Sequence, residues 1–309
     1  MNRPLKIGLI GGSGLGVALQ ARASGTPQYV NTPFGSPSST IIETEWEGVP
    51  VLFLSRHGAG HALNPSQVPY RANIYALKML GCTHILASGA VGSLREEFKP
   101  RNLVIPDQVI DKTHRREPTF FERAAVHVEF AEPFCPVLRQ TMLAAAKELP
   151  NDRQIAVHNG GCYVAMEGPA FSTRAESLMH RLWGGDLIGM TAMPEAKLAK
   201  EAEIPYAMVS LVTDYDCWRA AVKKDGVAPP KPKPDELLKE IIANLSAATD
   251  NAITLLQATL RKIAADPTPL ETCPALNALE LAIWSDKSAI DADEVRKLSP
   301  LWVKYFREG

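Results

Sequence analysis

The shortages in this chain exclude several classes of protein. No run of apolar residues approaches the length of a bilayer-crossing helix, although apolar residues make up 46% of the chain, so no membrane span is expected. Charge of one sign is not in excess: 33 Lys and Arg stand against 34 Asp and Glu, a net charge of −1. That balance argues against a surface built for nonspecific nucleic-acid or anionic-lipid binding. Cysteine is sparse and poorly spaced for cross-linking. Cys82, Cys135, Cys162, Cys217 and Cys273 are odd in number, far apart and free of any CxxC pair, so neither a disulfide framework nor a structural zinc site is expected. There is no HExxH, cysteine cluster or regular acidic metal loop, and no metal site is expected either. The stretch Met1 to Gly8 reaches a glycine cluster too soon for a signal-peptide core. With the reduced-looking thiols, this gives cytoplasm as the expected compartment.

What is present reads as one large α/β unit. With 309 residues, the chain can bury a core without cross-links. Lys6–Ile10 is strand-like and runs into Gly11-Gly12-Ser13-Gly14. Thr40–Trp46 and Val49–Leu54 predict a hairpin turning at Glu47-Gly48. Arg71–Leu80 predicts a helix stopped by Gly81. His84–Ala87 predicts a buried strand ending in Ser88-Gly89-Ala90-Val91-Gly92-Ser93, and further strands are expected at Leu103–Ile105, Val109–Ile110, Cys162–Met166 and Tyr206–Val212. Helices are expected at Val137–Leu149, Thr173–Trp183 and Glu195–Ala202. This alternation argues for a mainly parallel sheet with helices packed on it. The proline- and lysine-rich stretch 222–235 is expected as an exposed loop, either a lid or a spacer. Asp235 then caps a long helix with Leu237, Leu238, Ile241, Ile242 and Leu245 at helical spacing. The expected division is 1–265 as the main domain and 266–309 as a helical extension.

Five segments carry possible chemistry. The Gly11–Gly14 loop follows a strand, so it offers backbone N–H groups and the Ser13 hydroxyl to an anion. Val17 stands where GxGxxG requires glycine, and no GK[ST] is present, so the common dinucleotide and P-loop patterns fail. A tight turn and an anion cradle both remain open. Arg56-His57-Gly58 sits at a strand end, where α/β sites gather, and arginine offers planar donors suited to phosphate. Ser88–Ser93 exposes backbone donors in the same manner. Gly189–Glu195 brings Met190 and Thr191, the first readable as core and the second as an anion contact. Thr213-Asp214-Tyr215-Asp216 ends an apolar strand with two carboxylates, either a cap with a surface charge or a pair of acceptors in a pocket.

Taken in order, these pieces resemble the trimeric purine nucleoside phosphorylase family, in its methylthioadenosine phosphorylase branch. The resemblance runs from about Lys6 to about Leu256. It is carried by Tyr29–Gly35 (YVNTPFG), Arg56-His57-Gly58, Gly92–Glu97 (GSLREE), Ala131–Pro136 (AEPFCP), Glu167-Gly168-Pro169 with Phe171-Ser172, and Thr213–Trp218 (TDYDCW). It implies a phosphorylase/hydrolase-like α/β fold: a central mixed β-sheet flanked by helices, a single domain with a C-terminal helical extension. It further implies a homotrimer whose sites are completed by neighbouring subunits.

The reaction implied is phosphorolysis of S-methyl-5′-thioadenosine to adenine and 5-methylthioribose 1-phosphate. Inorganic phosphate is the co-substrate, no organic cofactor or metal takes part, and the partners are small molecules rather than nucleic acid or membrane. The alternative within the family is a purine nucleoside or methylthioinosine phosphorylase. The resemblance places Ser13, Arg56, His57, Ala90 and Thr191 on phosphate. Gly89 stands where relatives carry threonine, and Ser88 or backbone N–H groups are the expected substitutes. Met190 matches the ribose contact, Phe171 the ring against the base, Ser172 a neighbouring specificity position, and His127 the residue reaching an adjacent subunit's ligand. Pro234, Leu237 and Leu238 match the apolar pocket for the methylthio group. Asp214 is the candidate proton donor to purine N7, with a pKa raised by burial and by Asp216. An acceptor pair at 214 and 216 favours a 6-aminopurine over a 6-oxopurine.

Overall fold

The computed structural model describes residues 4–16, 24–150, 155–221 and 234–306. Eleven strands form one sheet. They are β1 (Ile7–Gly11), β2 (Thr26–Gln28), β3 (Ile41–Trp46), β4 (Val49–Ser55), β5 (His84–Ser93), β6 (Leu103–Ile105), β7 (Gln108–Asp111), β8 (Val157–Asn159), β9 (Cys162–Ala165), β10 (Leu187–Gly189) and β11 (Tyr206–Tyr215). Their order is β2-β3-β4-β1-β5-β10-β9-β7, with β11 on the other edge of β5, followed by β6 and β8. Strands β4, β1, β5 and β11 run parallel, whereas β2, β3, β6 and β10 each make an antiparallel pairing. The sheet is therefore mixed. Helices α1 (Tyr70–Met79), α2 (Pro136–Ala146), α3 (Arg174–Leu182), α4 (Glu195–Glu201) and α5 (Pro234–Ala265) flank it.

Local chemistry accounts for these elements. The β3–β4 turn has both Glu47 and Gly48 at positive φ, 51° and 76°, the hairpin geometry that matches strand twist. Gly81, at φ 82°, ends α1. Thr173 and Glu176 close a reciprocal capping box on α3, and Pro136 opens α2 where its missing N–H costs nothing.

The alternation of the central strands builds two core layers. Ile10, Leu52, Ile85, Ala87, Met208 and Val212 face one layer with residues of α1 and α4. Leu9, Val51, Phe53, Leu86, Val209 and Leu211 face the other with α2 and α5.

Three local expectations change. The Ser88–Ser93 segment is not a loop after a strand but the second half of β5. Strand β11 continues past Val212 to Tyr215 because β5 pairs with it along that whole length. Helix α5 begins at Pro234, so Asp235 lies in its first turn and is not its cap. The segment after Asp266 is a set of short turns and helices, including Ala292–Lys297 and Ser299–Trp302, that packs on the first core layer through Leu279, Ile290, Leu298, Leu301 and Trp302. Tyr75 of α1 donates its hydroxyl to Lys297 O. The stretch 222–233 lies outside the described residues.

Candidate active site

The site begins as a gap in the sheet. Strand β11 covers one edge of β5 from Ile85 to Ser93. On the opposite edge β1 pairs only as far as Ala87, and β10 pairs from Gly92 onward. Ser88–Val91 is thus left open on that edge, at the C-terminal ends of parallel strands where α/β proteins bind ligands. Arg56 Nη1 donates to Ser88 O at 2.7 Å across the opening. Backbone groups of alternate residues turn to the same edge, so the Ala90 N–H also faces the gap.

Around the opening stand three strand ends. After β1, Gly12 N donates to Ser88 Oγ at 3.3 Å. A Cβ on Gly12 would fall 2.6 Å from Arg56 Nη1, so only glycine lets the loop close on the guanidinium. Ser13 follows, half-buried. After β4, Arg56 is fully buried and held by Glu195 on two prongs of 2.7 Å, with Tyr206 donating to the same carboxylate at 2.8 Å. Burial alone would lower the Arg56 pKa, but the Glu195 charge and hydrogen bonds carry it above the ordinary value.

His57 shares its Nδ1 proton with Leu63 O at 2.8 Å and stacks on His61 with ring centroids 4.2 Å apart. Burial first, and the Arg56 charge second, push it down to about 4. The ring is therefore neutral at physiological pH and presents Nε2 as an acceptor.

Thr191 lies after β10. Its Oγ1 is 3.3 Å from where a Cβ on Gly89 would stand. The substitution at Gly89 therefore opens space directly beside the Thr191 hydroxyl. Ser88 Oγ accepts from Gly12 N, which leaves its O–H free to donate. Ser210, paired in register with Gly89 on β11, brings a buried hydroxyl without a hydrogen-bond partner to the same face.

The carboxylate pair sits further along β5. The β5–β11 register slips between Val212 and Asp214, after which Asp214 pairs with Gly92. Such a bulge re-aims side chains, and two residues of strand separate Gly92 from Ala90, roughly 7 Å. Thr213 donates to Asp214 Oδ1 at 2.6 Å. Burial raises the Asp214 pKa, and Asp216 and Glu240 push the same way against that hydrogen bond. Asp216 Oδ2 is buried without a partner.

The Met166–Thr173 segment closes on this end. Gly168, at φ 68°, lies so close to Met190 that a Cβ there would be 2.5 Å from its sulfur. Cys217 Sγ donates to Ser172 O at 3.4 Å. Met190 and Ser172 thus join the carboxylate end, while the Phe171 ring is 84% exposed. His127 is placed elsewhere: its N–H bonds Ala282 O at 2.9 Å and its ring meets Trp284 edge-on at 4.7 Å. Leu238 is exposed on α5. The side chains of Pro234 and Leu237 lie outside the described residues.

Two supports escaped the sequence reading. Glu195 reads there only as a helix start, although a lone acid in an apolar run needs a partner. Nothing in the sequence singles out Arg116, yet it is buried and its guanidinium joins Met190 O and Met193 O to Glu167 O. It fixes the Met190 segment against the Glu167 segment. Despite its burial, Glu167 is held down to about 2 by Ser66, by the N–H groups of His114 and Arg115 and by Arg116. Among the described residues, no group of His, Cys, Asp and Glu could hold a metal ion.

A buried arginine facing an open strand edge thus lies on the same stretch of sheet as a half-buried carboxyl whose pKa is raised. The chain belongs to the phosphorylase superfamily, whose family model matches residues 6–261. Within it, the chain belongs with the S-methyl-5′-thioadenosine phosphorylases. It is 44% identical over 302 residues to the S-methyl-5′-thioadenosine phosphorylase of Synechocystis sp., across 97% of this chain and 87% of that one. It is 50% identical over 224 residues to that of Neurospora crassa, across 72% of each. A solved methylthioadenosine phosphorylase from an antarctic soil metagenomic library superposes with a TM-score of 0.82 at 42% identity, covering 97% of this chain and 99% of that one. The Schistosoma mansoni enzyme in complex with tubercidin gives 0.78 at 35% identity, over 91% and 99%. The alignment with the Synechocystis protein takes in most of the segment after Asp266.

Proposed function

We propose that the chain is a pentosyltransferase that phosphorolyses S-methyl-5′-thioadenosine to adenine and 5-methylthioribose 1-phosphate, with inorganic phosphate as the only co-substrate and no cofactor or metal. The observation that carries the reading is the spacing on β5, with the Arg56-bound gap at Ser88–Val91 and Asp214 at Gly92. A phosphate in the gap and a purine at Asp214 leave room for a ribose between them.

In this reading Ser13, Arg56, Thr191 and the backbone of Gly89 and Ala90 hold phosphate against C1′, and His57 donates from Nε2 once the phosphate dianion has drawn a proton onto its ring. The C1′–N9 bond breaks as a phosphate oxygen bonds C1′, and fixing both reactants in one frame supplies much of the rate. The phosphate charge stabilises the oxocarbenium-like ribose. Asp214, protonated more readily than an ordinary aspartic acid, gives its proton to N7 as the base leaves. Asp216 accepts from the N6 amino group. Met190 packs on the ribose and Phe171 and Ser172 on the base.

The same reading takes the protein as a cytoplasmic homotrimer. His127 then serves a neighbour's ligand, and Pro234, Leu237 and Leu238 wall the methylthio pocket. Support for an assembly comes from apolar side chains left in solvent, including Phe171, Leu182, Trp183, Leu281 and Trp284. A second reading, a broader purine nucleoside or methylthioinosine phosphorylase, is favoured by the solved Schistosoma mansoni relative described as an adenosine/methylthioadenosine phosphorylase. Turnover of methylthioadenosine, adenosine, inosine and methylthioinosine at saturating phosphate separates the two. Preference for the 6-oxopurines would overturn the role given to the aspartate pair.

A further inference from the structure

Two cysteines far apart in sequence meet inside the molecule. Cys135, the residue before α2, and Cys273, between the short turns Thr268–Thr272 and Pro274–Asn277, bring their sulfurs to 3.2 Å. Both are buried. Disulfide formation requires closure of that distance to about 2.05 Å, a movement of roughly one ångström. A cavity of about 100 Å³ reaches Cys135, lined also by Pro136, Glu129, Lys200 and, next to Cys273 in the chain, Pro274. It has room for a molecule of peroxide size, since a water takes about 30 Å³.

The setting separates this pair from the other thiols. The hydrogen bond between the two sulfurs lowers Cys135 against its burial, helped by the N–H groups of Val137 and Leu138 and the Lys200 ammonium, while the same bond and burial raise Cys273. Burial pushes Cys82 up to about 12 and, with Asp186 and Asp107, Cys162 up to about 11; Cys217 is also raised by burial.

We propose that Cys135 and Cys273 form a peroxide-responsive thiol pair, whose oxidation closes a disulfide fastening the C-terminal segment to the start of α2. The Cys135 thiolate attacks one peroxide oxygen; the S–O bond forms, the O–O bond breaks, and the departing hydroxide takes a proton to become water. The Cys273 sulfur then attacks the Cys135 sulfur; the S–S bond forms, the S–OH bond breaks, and the hydroxide leaves as water with the Cys273 proton. Two thiols and one hydrogen peroxide give one disulfide and two waters. The bond would close a loop spanning 138 positions, long enough to stabilise the fold by restricting the unfolded chain.

The test is to treat the intact protein with a small excess of hydrogen peroxide, alkylate the remaining thiols, and map the peptides by mass. The expected result is a linked 135–273 peptide, three of the five thiols still alkylated, reversal by dithiothreitol, and a Tm higher by on the order of 5 °C. In Cys273→Ser, Cys135 should stop at a sulfenic acid that dimedone traps. The proposal is overturned if no linked peptide forms in the wild-type protein, or if Cys82, Cys162 and Cys217 are consumed as fast as the pair. The wild-type map does not depend on the variant folding.

Discussion

Arg56 and Glu195 form a two-pronged ion pair at 2.7 Å on both arms, with neither side chain reaching solvent. The pair ties the end of β4 to the start of α4, and the Tyr206 hydroxyl of β11 holds the carboxylate from a third element. A third N–H of the guanidinium goes to Ser88 O, and its remaining donors are free for an anion. Glu195 is in this sense a positioning residue for the phosphate contact.

Replacing Glu195 with glutamine should therefore act on phosphate without touching it. The guanidinium loses its fixed counter-charge, so the phosphate KM should rise about tenfold or more. Breaking a buried ion pair should also cost about 3–5 kcal/mol of stability. Phosphate saturation curves and thermal melts check both effects; an unchanged phosphate KM would separate Glu195 from the site. Arg56→Ala is a poorer probe, since it strands a buried carboxylate and mixes the two losses.

Asp214→Asn should lower kcat for 6-aminopurine nucleosides by about 10²–10⁴, the usual contribution of a positioned general acid. Asparagine preserves the shape but has no acidic proton to give. Steady-state kinetics with methylthioadenosine decide the matter, and near-normal kcat would refute the acid role.

His57 gives a prediction in pH. Its folded pKa, about 4, lies below the ordinary histidine value of about 6.5. As pH falls through that window, the unfolded chain takes up the proton first, so the folded state loses stability between about 6.5 and about 4. Above the window the group contributes nothing to the pH dependence. In His57→Gln the fall in Tm over this range should be shallower than in wild type. Identical slopes would mean that His57 is not held neutral. A bound phosphate dianion should oppose the effect by favouring the imidazolium, which phosphate-dependent melts at pH 5 and pH 8 would reveal.

Gly89→Thr should restore a hydroxyl at the edge of the gap. A Cβ there meets Met208 Cε and Thr191 Oγ1, each at 3.3 Å. This is close, but one neighbour is a flexible methyl and the other a hydrogen-bonding partner. The expected outcome is a phosphate KM several-fold lower, in line with about 0.5–1.5 kcal/mol for one added hydrogen bond. A higher phosphate KM would mean that the space beside Thr191 is already used.

The fold class was legible in the alternation of strands and helices, whereas the details of the sheet were not. Arg56, Thr191 and Asp214 stand at or near strand ends, and that position is what makes them readable as candidates. The continuation of β5 through Ser93 was hidden because Ser-Gly-Ala reads as a loop, and only pairing with β11 makes it a strand. The gap itself was also hidden, since it depends on where β1 stops and β10 starts. Arg116 could not be found in the run His114-Arg115-Arg116, because only tertiary packing distinguishes the buried arginine from its neighbour. The tail behaved similarly: Trp302 and Leu301 carry no periodic signal in their short turns, yet both are buried in the first core layer.

The most direct test follows phosphate itself. Purified protein would be given methylthioadenosine with and without inorganic phosphate, measuring adenine by absorbance and phosphorus by ³¹P NMR. The account predicts adenine release only with phosphate, and one new sugar 1-phosphate ester for each adenine formed. Adenine release that proceeds without phosphate and consumes none would contradict it, because water would then be the nucleophile and the Arg56 gap would have no part in the reaction.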